Sequence, residues 1–123
     1  MGRYYSGDID GKFVFGIQDS NAADRFGVTG EHPYYLEYYF TEENIPQIES
    51  ELRNIKEAFG KDFDSLYDIV ENYGYSQSRV VELFNIDDHQ AQVYLSEIAD
   101  YMLGEQILEK VKEQGYCSFD AEL

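Results

Sequence analysis

Tryptophan is absent from the chain, cysteine occurs once, and histidine and proline twice each. A single cysteine, Cys117, excludes an intrachain disulfide, so the fold must rest on a hydrophobic core. No run approaches the ~18 consecutive apolar residues of a membrane span. The opening MGRYYSGDIDGKF lacks the apolar stretch of a signal peptide. A reducing cytoplasm is therefore the expected compartment. Bases are scarce as well: nine Lys and Arg face 25 Asp and Glu, a formal charge of −16. Phosphate recognition needs a basic face, so direct nucleic-acid binding is not expected. Nor is an anionic membrane surface.

What is present is apolar and aromatic. The 123 residues are 43% hydrophobic and 16% aromatic, enough for one folded domain, 1–123, with one core. Phe13, Phe15 and Ile17 alternate with Lys12, Val14 and Gly16, the period of a half-buried strand. Tyr34, Leu36, Tyr38 and Phe40 alternate in the same way with Tyr35, Glu37 and Tyr39. Tyr4 and Tyr5 open a further short strand, turned by Gly7 to Gly11. The polar stretch Gln18 to Pro33 is long for a hairpin loop, so a helical turn is expected at Asn21 to Phe26. Residues 1–40 thus predict an antiparallel sheet of two or three strands and a long loop.

From Thr41 the period becomes helical, and residues 41–123 are expected to be helical. Ile45, Ile48, Leu52, Ile55 and Phe59 form one stripe, capped by Thr41 or Asn44, with Pro46 in the first turn and Gly60 at the end. Phe63, Leu66, Ile69 or Val70, and Tyr73 mark a second helix stopped at Gly74, and Ser78 to Phe84 a third. Asp87 or Asp88 then caps a long helix carrying Ala91, Tyr94, Leu95, Ile98, Tyr101 and Met102. After that, Leu103, Ile107, Leu108 and Val111 fall on nearly the opposite side. At about 100° per residue a straight helix cannot bury both stripes against one core. Either the helix breaks or kinks at Gly104, which is the expectation, or its end buries a second face against another molecule. The fold class is α+β, the small sheet being packed by four or five helices.

Motifs that carry chemistry are few. Asp8, Asp10 and Gly11 suggest a calcium loop, but aligning Gly11 with the loop's glycine puts Ile17 where a bidentate Glu is required. Asp87, Asp88 and His89 are adjacent at a helix start, where they cannot converge on one ion and where acids serve the helix dipole. Neither His32 nor His89 sits in a catalytic motif, and GxSxG, P-loop, GxGxxG and HExxH patterns are all missing. Cys117 reads as a small apolar filler rather than a reactive thiol. Met1-Gly2 is a poor myristoylation context. No enzyme, metal or cofactor is expected. The segment SRVVELFNIDDHQAQVYLSEI resembles a helix-turn-helix, yet Val80 to Glu109 holds seven acids and no base, which DNA would repel. A plain helical hairpin fits better.

The negative charge is polarised. Residues 1–40 carry 6 acids and 3 bases, residues 41–79 carry 9 and 4, and residues 80–123 carry 10 and 2, for nets of −3, −5 and −8. Glu105, Glu109 and Glu113 repeat at i,i+4 with like sign, a spacing of about 6 Å, near twice the per-strand charge interval of duplex DNA. Asp87, Asp88, Glu97, Asp100, Glu105, Glu109 and Glu113 are therefore the candidate acidic interface. Twelve tyrosines add a second signal, since Tyr is enriched at interface cores. Tyr35 and Tyr39, on the strand face opposite Tyr34 and Tyr38, are the aromatic candidates.

The opening GRYYSGDIDGKFVFGIQDSNAADRFG resembles the start of an uncharacterised family of small acidic proteins from bacteriophages and large DNA viruses. That resemblance covers about residues 1–40 and brings no catalytic residues. It implies a role against a host. By size and charge the chain is similar to anti-CRISPR proteins that resemble DNA. The expected function is a phage- or virus-encoded, non-enzymatic inhibitor acting in the host cytoplasm. Its partner would be a basic host protein, such as a CRISPR effector or other nuclease, whose nucleic-acid-binding surface it occupies. The alternative is a structural or adaptor protein, acidic for solubility, that forms a homodimer through the stripe after Gly104. An enzyme acting on a small ligand at the Tyr-rich sheet ranks third. Rejection of the metal sites has a direct check: the melting temperature should be the same in calcium, zinc or chelator, and a sharp rise with either ion would restore them.

Overall fold

The computed structural model describes residues 3–9, 11–13, 22–28 and 35–122. In chain order they form β1 (Arg3–Gly7), β2 (Gly11–Phe13), a 3-10 turn at Ala22–Phe26, and β3 (Tyr35–Thr41). Then come α1 (Ile45–Phe59), α2 (Phe63–Tyr73), α3 (Gln77–Phe84), α4 (Asp88–Gln114) and β4 (Tyr116–Glu122). The class is α+β. The expected turn near Phe26 is present, whereas Asp10, residues 14–21 with Phe15 and Ile17, and residues 29–34 with His32 and Tyr34 lie outside the described residues.

Expectations are corrected in two places, at the sheet and at Gly104. The described sheet has four antiparallel strands in the order β2-β1-β4-β3, not two or three, and residues 41–123 are not all helical because β4 lies there. Cys117, Phe119 and Ala121 are buried while Ser118 is exposed, so β4 does alternate with period two. Cysteine and alanine are small, and only Phe119 has the bulk by which a strand announces itself. β4 occupies the sheet interior, pairing Tyr38 with Phe119 on one side and Gly7 with Phe119 on the other. That second pairing needs glycine. Gly7 has φ +120°, and a Cβ there would stand 2.7 Å from the Ser118 carbonyl oxygen.

The second correction concerns Gly104. α4 runs without a break from Asp88 to Gln114. Its two apolar stripes are both buried, but against different cores of the same chain. Ala91, Leu95 and Ile98 pack with Phe63, Leu66, Ile69 and Val70 of α2 and Val80 of α3. Leu103, Ile107 and Val111 pack with Tyr38, Phe40, Cys117 and Phe119 of the sheet and with Phe26 and Leu52. Ile98 and Ile107 are nine residues apart, about half a turn in angle. The stripe assigned to a dimer contact is thus used within the fold, with Ile107 fully buried.

Magnitudes explain why the helix continues. Glycine inside a helix costs about 1 kcal/mol relative to alanine. Burying Leu103, Ile107 and Val111 contributes about 1.5–3 kcal/mol each. The glycine also does positive work, because the Phe26 ring lies where its Cβ would be, at 2.5 Å, with a Leu52 methyl at 2.8 Å. Gly104→Ala should therefore destabilise the protein, by about 1–3 kcal/mol, despite alanine's better helix propensity. Urea unfolding measures it, and a stabilised variant would contradict the packing.

Candidate functional site

α4 determines where the expected acidic residues can act. Twenty-seven residues make a helix about 40 Å long, so Asp87 and Asp88 lie about 25 Å from Glu105 along its axis. The seven candidates do not form one patch. Asp87 is the N-cap, its carboxylate accepting the Gln90 N–H at 2.8 Å, and Asp88 is exposed beside it. Glu97 and Asp100 are occupied internally. Arg25, on the Ala22–Phe26 turn, donates to Glu97 at 2.6 Å, to Asp100 at 2.7 Å and to Glu51 of α1 at 2.9 Å. Burial alone would lower the guanidinium pKa, but these three carboxylates outweigh it and hold the charge firmly. Such bonds contribute about 1.5–3 kcal/mol each when buried and less in this half-exposed setting.

Glu105, Glu109 and Glu113 do share a face. With Met102 and Lys112 they line one side of an open groove of about 880 Å3, whose other walls include Leu52 of α1 and Tyr67 and Glu71 of α2. An adjoining hollow of about 580 Å3 extends past Tyr67 and Tyr101 to Lys56, Asp64 and Asp68. α2 follows the N-terminal half of α4 in the helical core. At the middle of α4 the two helices are bridged by rings: Phe63 to Tyr101 at 4.7 Å and Tyr67 to Tyr101 at 6.2 Å, both edge-on. Six carboxylates line the two hollows against two lysines, Lys56 and Lys112, and Lys112 is itself paired with Glu49 at 3.3 Å.

The α2 contribution was not anticipated. Asp64, Asp68 and Glu71 fall at i, i+4 and i+7, opposite the apolar positions Phe63, Leu66 and Val70. That spacing is visible in the sequence as a second acidic stripe. The tyrosines differ too. Tyr39 is 57% exposed and stacks on Tyr116 at 5.9 Å on the sheet face away from α4, while the side chain of Tyr35 is outside the described residues. The rings beside the carboxylates are Tyr67 and Tyr101.

Glu105 is the electrostatic centre of the groove. Its carboxylate accepts the Tyr67 hydroxyl at 2.8 Å. Burial, then repulsion from Glu71 and Glu109, raises its pKa above the ordinary carboxylate value, and the Tyr67 donor and Lys56 offset only part of this. The Tyr67 phenol is pushed up by burial, then by Glu105 and Glu71.

Elsewhere the chemistry is quiet. Asp8 accepts from the Ser118 N–H and from Gln114 Nε2, both at 2.9 Å, which makes it a turn residue. Cys117 is buried, and burial followed by the Asp8 charge pushes its thiol up to about 12. Among the described residues no group of three or more His, Cys, Asp or Glu could hold a metal ion, and no helix is long and apolar enough to cross a membrane. No family model matches the chain, and no curated protein or solved structure matches it either.

The raised pKa of Glu105 has a stability consequence. An acid whose folded pKa lies above its unfolded one favours folding when protonated, and that contribution fades as pH rises through the folded pKa. Glu105→Gln should therefore raise the melting temperature at pH 7, with the gain shrinking toward pH 4. Thermal melts across that range test it, and a loss of stability at pH 7 would contradict the assignment.

Proposed function

We propose that the protein is a non-enzymatic binder that uses the α2–α4 groove to occupy a basic surface of another protein. In the setting that the N-terminal resemblance implies, it is a phage- or virus-encoded inhibitor of a host nuclease or other nucleic-acid enzyme, acting in the host cytoplasm. One observation carries the reading: two rows of carboxylates, Asp64, Asp68 and Glu71 on α2 and Glu105, Glu109 and Glu113 on α4, border an open groove with aromatic walls. A solubilising charge would favour dispersed, hydrated positions. Glu105 is instead held against neighbouring acids and partly desolvated, a cost to stability of the kind concentrated at functional sites. Carboxylates then stand where a competing nucleic acid would place phosphates, and Tyr67, Tyr101 and Leu108 supply apolar contact.

The adaptor reading keeps one supporting feature, the exposed Tyr39–Tyr116 stack on the outer sheet face. It no longer has the stripe after Gly104 as a dimer contact.

Charge-driven association should be fast and steeply salt-dependent. With the triple variant Glu105→Gln, Glu109→Gln, Glu113→Gln as the control bait, wild-type protein should retain basic nucleic-acid-binding proteins from a bacterial lysate. Duplex DNA should displace them, and the folded variant should bind them at least tenfold more weakly. Equal retention by the two baits, or retention insensitive to salt, would overturn the proposal and leave the outer sheet face as the better surface.

A further inference from the structure

We draw no further inference here: the strongest candidate, the exposed Tyr39–Tyr116 stack on the outer face of the β3–β4 pair, is a sheet surface, and nothing among the described residues shows what covers it.

Discussion

The rest of the molecule depends on the contact between the Ala22–Phe26 turn and the middle of α4. There the helix changes its apolar face by about half a turn, from the helical core to the sheet core. Phe26 fills the space that the missing side chain of Gly104 leaves open, and Arg25, one residue earlier, ties Glu51, Glu97 and Asp100 around the same junction. A turn of five residues thus joins α1 to α4 through an apolar plug and a charged clasp. Without that junction, two half-cores would share a helix but not an orientation.

The junction also sorts the negative charge. Acids on the Arg25 side of α4 are consumed in holding the turn, and Asp87 is consumed in starting the helix. On the flank facing α2 the described residues supply lysines instead: Lys112 pairs with Glu49, and Lys56, over the Phe63 ring, offsets part of the charge at Glu105. Of the carboxylates displayed there, Glu105 is tied into the packing through the Tyr67 hydroxyl. Because α2 has 11 residues against the 27 of α4, it covers only part of that helix, and space beside α4 stays open. Groove and charge therefore have the same origin, the length by which α4 outruns its helical partners.

Much of this was legible. The stripe from Ile45 to Phe59, the stops at Gly60 and Gly74, and the Asp87 cap are local signals, and local hydrogen bonding decides them. Gly104 misled because a register change inside a helix reads as a break when only one core is imagined. The second core is built from β4, whose small residues conceal its period. At the site, the Glu105 ladder could be read from spacing alone, but not its partner row. Asp64, Asp68 and Glu71 meet it only through tertiary packing of rings, and no spacing on one helix reports the face of another. Glu97 and Asp100 looked free because nothing along α4 shows that Arg25, more than 70 positions away, is folded onto them.

The position of β4 carries a kinetic implication. The strand that separates β1 from β3 is the last described element in chain order, so among the described strands β3 has no neighbour, and β1 only β2, until the others have been made. The α2 and α3 helices can settle early through contacts close in sequence, whereas β1 waits for a β4 partner more than 100 residues away. During synthesis β1 and β3 are exposed, tyrosine-rich edges. Acidic residues beside and within them, Asp8 after β1 and Glu37 in β3, put charge on those edges, the usual deterrent to premature association.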